Sequence, residues 1–461
     1  MKFFIECTQT YATKFNSGIQ RVVRNIVKAS VAVDAAQVAT PVIFDAGAFV
    51  GIRGSIPFPD DSDVVAIFPS GLSAGVLGAI KSRLHAAIAV VAKVLPFPPV
   101  VKFLYAPRHQ FGLAGILFFP GQLLKKIRMR GIASPHDMVT IGRGDVLVLL
   151  DSSWSNGWGN KYWKVVDACR RRGVFVAIVI YDLIPLTHPA FCTPSFSAAY
   201  KAWLAQAVFR ADALIGISQT TAMTLERDLA RFVTTPQPLP CISYFWLGSE
   251  LDGDGGAGQV VDPRLVSVCT SGAPTYVYVS TVEPRKNHRY ALDGFDALWN
   301  SGVAANFVIV GRIGWYCETF VKYVLAHPQY GKQLFMFNKV DDTELAYLYA
   351  TVQGLIFTSF VEGFGLPVVE GLQRGLPVFA SDIPVFREIG VSGVQFVDLA
   401  DPASLAQALA GHILLGAPRL PTPVSWLTWQ QSAQQLQERI VECIAVRTAA
   451  TGATVAQADP V

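Results

Sequence analysis

The chain has 461 residues, 51% of them hydrophobic and 16% charged, enough for two large domains or three small ones with sizeable cores. A net charge of only +4 gives no footing for a nucleic-acid partner. Seven scattered cysteines (Cys7, Cys169, Cys192, Cys241, Cys269, Cys317, Cys443) without a CxxC pair read as reduced, buried thiols of a cytoplasmic protein, and argue against a disulfide framework or a zinc site.

The first residues, MKFFIECTQT, meet Glu6 too soon for a signal peptide, and 3–7 reads as a core strand. Residues 9–17 read as polar loop. Gly18 then opens a helix with Ile19, Val22, Val23, Ile26 and Val27 on one face. Strand, glycine and helix start make a possible anion site. Arg21 and Arg24 are either cleft cations or solvated helix charges. Between 70 and 131, apolar residues from Val76 to Leu95 follow a helical period with Lys81, Arg83 and Lys93 interspersed. The longest uncharged run there, 109–124, is shorter than a membrane span and broken by Gly and Pro. Apolar residues with basic neighbours suit a segment lying in the interface of an anionic bilayer, which also accounts for a mean hydropathy of +0.37. The alternative is an ordinary core helix and hairpin.

DVLVLLD, 145–151, reads as a strand followed by the turn SSWSNGWGN and a helix from near Lys161. Aromatic rings stack on sugar faces, which makes Trp154 and Trp158 candidates for acceptor contact; Trp163 suits packing. Strand 174–181 ends in YDLIPLTHP, and ligands of open α/β sheets bind at the carboxyl ends of strands. Asp182 and His188 are therefore candidates for acceptor contact, although a lone His beside Pro189 also suits a structural role. A helix at 195–210, a strand at 213–217 and a helix at 218–229 capped by Ser218 follow. ISYFWLGSEL reads as the last strand of a first domain, 1–250. The Gly-rich stretch after it gives a flexible linker, 251–272, where a hinge would let two domains close on a ligand.

In a second domain, 273–425, strands at 276–280, 306–310, 334–337, 355–358, 378–380 and 395–397 alternate with helices, one capped by Asp342. Such alternation predicts an α/β fold with a parallel sheet covered on both faces. A helix at 401–415 and a long final helix at 426–446 follow; 447–461 read as a disordered tail. The stretch around which this domain is organised is FTSFVEGFGLPVVEGLQRG, 357–375. A strand end leads into a loop with Gly363 and Gly365, and Pro367 suits the first turn of the next helix. Unpaired amides and the positive end of the dipole then face one point. Glu362 and Glu370, the latter placed in the first helical turn, bracket that point. Two acids beside a phosphate site fit a ligand carrying both phosphate and sugar hydroxyls, a nucleotide-sugar. A plain alternative is two acids favoured near a helix N-terminus.

VEGFGLPVVEGLQRGLPVFASDIPVFREI resembles the donor-site signature of the retaining glycosyltransferases of family 4, which have the GT-B fold. The resemblance extends through YVSTVEPRKNHRYALDGF, FVIVGRIGW and FNKVDDTELAYLYATVQGLIFTS, and so covers nearly all of 275–400. It implies two Rossmann-like domains facing across a cleft, with the final helix crossing back to the first. It further implies that Arg285 and Lys286 neutralise the leaving diphosphate, Glu362 contacts the donor sugar and Glu370 holds the ribose hydroxyls. Gly363, Phe364, Gly365 and Leu366 would offer amides to the sugar and diphosphate. Val340 would read the base, Gly311 and Arg312 would line its pocket, and the loop at Gly18 would approach the diphosphate from the opposite side.

Two positions depart from the pattern: Tyr181 stands where relatives carry His, and Ser280 where they carry Arg. With no D-x-D triad at a strand end, no catalytic metal or other cofactor is expected. No opposed carboxylate nucleophile is evident in the first domain, so retention would arise by attack from the face that the leaving group departs. GIQRVVRNI, YDLIPLTHP and TVEPRKNH look most like bacterial mannosyltransferases of O-antigen or exopolysaccharide assembly. GDP-mannose is then the first expected donor, a lipid-linked saccharide the acceptor, and the inner face of the plasma membrane the place. Rhamnosyl or glucosyl transfer and a degenerate GT-B scaffold are the alternatives. No pyridoxal-lysine motif favours a phosphorylase.

Overall fold

A computed structural model of the chain describes residues 1–13, 18–32, 39–45, 47–52, 56, 137–155, 159–236, 238–251, 261–390 and 392–456. Residues 70–131, with the membrane-interface expectation, and Trp158 lie outside the described residues. No helix among the described residues is long and apolar enough to cross a membrane.

The first sheet contains β1 (Phe3–Glu6), β2 (Ala39–Asp45), β3 (Ala48–Gly51), β4 (Asp137–Met138), β5 (Val146–Leu149), β6 (Phe175–Ile180), β7 (Ala213–Gly216) and β8 (Cys241–Tyr244). Its order is β4-β3-β2-β1-β5-β6-β7-β8. β3 runs antiparallel to β2 and β4, and the other described pairs are parallel. Helices α1 (Thr8–Ala12), α2 (Gly18–Ala32), α3 (Gly159–Arg171), α4 (Ile184–Thr187), α5 (Pro194–Val208) and α6 (Gln219–Phe232) connect or flank these strands. The central strands β5, VLVL, and β6, FVAIVI, are continuous apolar runs because both faces of a parallel sheet are covered. α1 occupies the start of the expected polar loop. Its threonines are buried: the Thr8 amide donates to Glu6 and the Thr10 amide to Asp151, so polar residues here cap buried acids instead of facing water.

The second sheet contains β9 (Thr275–Val279), β10 (Asn306–Val310), β11 (Leu334–Phe337), β12 (Gly354–Phe357), β13 (Val378–Ser381) and β14 (Val394–Val397), all parallel. Its order is β11-β10-β9-β12-β13-β14. Helices α7 (Pro263–Cys269), α8 (His288–Asn300), α9 (Glu318–Leu325), α10 (Asp342–Thr351), α11 (Leu366–Gln373), α12 (Pro384–Ile389) and α13 (Pro402–Leu414) cover it. α7 stands inside the stretch expected to be a flexible linker. Asp262 caps it, Pro263 opens it, and Leu265 and Val268 bury its inner face. Asp341, not Asp342, caps α10, through a reciprocal capping box with Glu344.

The last helix, α14 (Trp429–Ala456), packs against α2, β7 and β8 of the first domain, with Trp429, Ala433, Leu436, Ile440 and Cys443 buried. This is the GT-B arrangement of two α/β sheets with a final helix that returns to the first. The expected disordered tail is corrected in part: α14 continues through residues 447–456, since VRTAATGATVA holds no proline to stop it. The cysteine expectation is corrected too. Cys443 of α14 is disulfide-bonded to Cys241 of β8, 202 residues earlier, with Cα atoms 5.7 Å apart. Docking the helix creates that proximity, so no spacing in the sequence reveals it. Of the other five cysteines, four are buried thiols and Cys269 is half-buried.

Candidate active site

The order of the second sheet reverses between β9 and β12, and ligands of doubly wound sheets bind outside the carboxyl ends of strands at such a switch point. Two loops leave the sheet there. After β9, Glu283 precedes a 3-10 turn, Pro284–Lys286, whose Pro fixes its start. Asn287 ends it in the left-handed region (φ 56°), which Asn tolerates, and leads into α8. After β12, the loop runs from Thr358 to Gly365, the N-cap of α11. No described protein group accepts from the amides of Phe364, Gly365 or Leu366, at the positive end of that helix. Glu370 lies one residue beyond the expected first turn.

The two loops interlock by charge. Lys286 Nζ lies 2.5 Å from Glu362 Oε1, and Arg285 Nη1 lies 2.7 Å from Glu362 Oε2. Arg285 also donates to the Val361 carbonyl at 2.8 Å and to Glu283 Oε1 at 2.7 Å. The three side chains of this triangle are only 8–17% exposed. Burial by itself lifts the Glu362 carboxyl, but Arg285 and then Lys286 outweigh it and hold it at about 2. Lys286 is pushed below the ordinary lysine range, first by burial and then by Arg285. Burial pushes Arg285 down as well, but Glu362 and Glu283 more than reverse it. Both cations expected to face the diphosphate are thus held by the acid expected to face the sugar.

The first domain meets this site closely. Arg21 Nη1 of α2 lies 2.6 Å from Glu370 Oε1, and Tyr349 OH donates to Glu370 Oε2 at 2.9 Å. Arg21 is therefore a cleft cation. Arg24 is buried near Asp151, which opposes the downward push of burial on its guanidinium, so neither arginine is a solvated helix charge. Tyr181 and Asp182 at the end of β6 face the donor loop. A side chain on Gly363 would put its Cβ 2.1 Å from the Tyr181 carbonyl oxygen and 3.1 Å from Asp182 Cβ, so only glycine permits this approach. Asp182 accepts from the Ile184 amide at 2.9 Å. Its carboxyl is raised, by burial foremost; Arg285 pulls it down, while Glu362 and Glu283 push it up. The first domain therefore brings the Asp182 carboxyl within electrostatic reach of Glu362. Tyr181, in the position of the missing histidine, is buried and donates to the Leu150 carbonyl at 2.9 Å, a packing role.

Other expected residues scatter around this centre. Gly311 (φ +144°) ends β10 where a Cβ would fall 1.8 Å from the Ser280 carbonyl oxygen. Arg312 is exposed, and its carbonyl accepts from Val282 at 2.8 Å. Val340 is half-buried just before the cap of α10, and Gly18 is the exposed first residue of α2. His188 is exposed, 2.9 Å from Thr187 Oγ1 and stacked on Phe191, which in turn stacks on Phe360 of the donor loop. Trp154 is no open platform: its ring meets those of Tyr181, Tyr200 and Trp203 edge-on, with centroids 5.0–6.2 Å apart.

Residues 268–415 match the family model described as "Glycosyl transferases group 1", a stretch that includes Arg285, Lys286, Glu362 and Glu370. The chain is 34% identical over 282 residues to the serotype-specific mannosyltransferase WbdA of Escherichia coli, covering 60% of this chain and 34% of that protein. It is 32% identical over 140 residues to O-antigen chain mannosyltransferase B of Escherichia coli, covering 30% of this chain and 35% of that one. The chain thus spans about a third of the length of these curated relatives. Among solved structures, Anabaena HepE in complex with UDP and glucose aligns over 98% of this chain and 100% of that one, with 13% identity and a TM-score of 0.48.

Proposed function

We propose that the chain, by virtue of its group 1 glycosyltransferase domain, moves a hexose from a nucleotide-sugar to a saccharide acceptor with retention of configuration. The single observation that carries this reading is the Arg285–Lys286–Glu362 triangle at the switch point, beside the N-terminus of α11. Two buried cations and unpaired helix amides suit a diphosphate, whose charge grows as the bond to the sugar breaks. Glu362 accepts hydrogen bonds from the donor sugar, and Glu370 from the ribose. For the latter, Arg21 has to yield one carboxylate oxygen, so donor entry and the Arg21–Glu370 pair compete.

In the proposed step, an acceptor hydroxyl oxygen bonds to the anomeric carbon on the face that the diphosphate leaves. The bond from carbon to phosphate oxygen breaks, and the hydroxyl proton passes to that departing oxygen. Asp182 faces the acceptor side and orients the hydroxyl. The protein cations balance the leaving charge, with no metal ion in the scheme. The names of the relatives favour mannose, with GDP-mannose as donor and a lipid-linked O-antigen or exopolysaccharide chain as acceptor. Attachment to the cytoplasmic face of the membrane belongs to the same proposal.

Thermal-shift screening against GDP-, UDP-, ADP- and TDP-sugars tests it, because a ligand that binds the folded state raises the melting temperature. GDP-mannose is expected to give the largest shift. Shifts with none of the nucleotides would overturn the donor site; a larger shift with another sugar nucleotide would overturn the choice of mannose.

A further inference from the structure

Every hydrogen bond described for the Glu388 carboxylate comes from the other domain. Glu388 sits on α12 of the second domain. Its Oε1 accepts from the Gln219 amide at 2.7 Å and from Trp246 Nε1 at 2.6 Å. Its Oε2 accepts from the Thr220 amide at 2.8 Å and from Thr220 Oγ1 at 2.6 Å. The two amides open α6, a helix with no acidic residue in its own first turn. Glu388 thus completes the N-terminus of a helix that the first domain leaves partly uncapped, where negative charge is most favoured. Ser218 supplies the third amide's partner, accepting from Thr221 at 3.0 Å.

The same helix end holds the donor loop. Ser218 Oγ lies 2.7 Å and Thr221 Oγ1 3.3 Å from the Gly363 carbonyl oxygen. On the other side, α12 is rigidly tied to that loop. Val385, Phe386 and Ile389 are buried, and Phe386 packs where a Cβ on Gly365 would come within 2.8 Å. Seating Glu388 on α6 therefore fixes both the angle between the domains and the position of Gly363 relative to Asp182.

We propose that Glu388 is a positioning residue, the catch that holds the two domains closed and so sets the donor loop against the acceptor side. Its kinetic consequence rests on the glycosyltransferase reading; its structural consequence does not. Glu388→Gln keeps the size but turns an amide donor toward groups that are themselves donors. In the full chain it is expected to lower kcat about 10- to 100-fold, the effect of misplacing reacting groups by roughly an ångström. The donor KM is expected to change little. Small-angle scattering is expected to give a larger radius of gyration than wild type, with an unchanged melting temperature. Thr220→Val removes one donor to the same carboxylate and is expected to give a smaller effect, with no further loss when combined with Glu388→Gln. Wild-type dimensions and kcat in Glu388→Gln overturn the inference, as do additive effects in the double variant. If neither variant nor wild type transfers sugar but Glu388→Gln still expands, the function fails while the catch stands.

Discussion

Each sheet of this molecule has a switch point, and each holds buried acids, but the two are compensated in opposite ways. In the second domain, Glu362 faces Arg285 and Lys286 and stays ionised at about 2. In the first, where the order reverses between β1 and β5, Glu6 and Asp151 face one another, both at most 2% exposed. Burial and then Asp151 push Glu6 up to about 8. Asp151 accepts from the Thr10 amide at 2.6 Å and the Ser152 amide at 2.7 Å, so it is the better-solvated of the two and Glu6 keeps the proton. Similar topology thus yields an ionised cluster of two cations and an acid in one domain and a pair of acids that keeps one proton in the other.

The largest expected effect breaks the charged side. Lys286→Ala leaves Glu362 with one cation, and turnover should fall ~10²-fold or more in initial-rate assays, the scale of losing one group aimed at developing charge. Near-normal kinetics in both Lys286→Ala and Glu370→Ala would sink the site assignment. Gly363→Ala comes next. Its methyl group collides with the Tyr181 carbonyl, and kcat should drop roughly 10- to 100-fold as the domains are pushed apart.

The Glu6–Asp151 pair predicts a pH signature in stability. Between its ordinary 4.5 and about 8, Glu6 binds its proton more in the folded than in the unfolded state. Its contribution is therefore complete below 4.5 and lost as pH rises through 8. Glu6→Gln removes that decline and should raise the melting temperature at pH 8 by on the order of 5 °C relative to wild type, with little change at pH 4.5. A calorimetric difference independent of pH would refute the shared proton. For Glu362 the sign is reversed: its contribution holds above 4.5 and drains away as pH falls toward 2. The smallest effect is expected from Tyr349→Phe. It removes one hydrogen bond to Glu370 and should weaken nucleotide binding by about 1 kcal/mol, or about fivefold, by titration calorimetry.

The charged side is legible in the sequence because its parts are contiguous. A strand, two glycines, Pro367 and Glu362 fall within a dozen residues, and EPRKN encodes a Pro-started, Asn-terminated turn. The parts that escaped join distant stretches. Arg21 and Glu370 are 349 residues apart, and Glu388 meets Thr220 across 168. The one local hint was Ser218, recognisable as a cap but not as a grip on Gly363. Glu6 misled differently, since an acid at the end of a strand argued only against a signal peptide. The ring of Trp154 suits sugar stacking, but Tyr181 at the end of β6 and Tyr200 and Trp203 of α5 enclose it from elements distant in the chain.

Because α14 lies on α2, β7 and β8, part of the cover of the first domain is encoded after the whole of the second. On the ribosome, the second domain can complete its sheet while the first still lacks Leu436 and Ile440 over its own. The earlier of the two domains is thus completed after the later one, and it must survive with that apolar surface bare until Cys443 clears the exit tunnel.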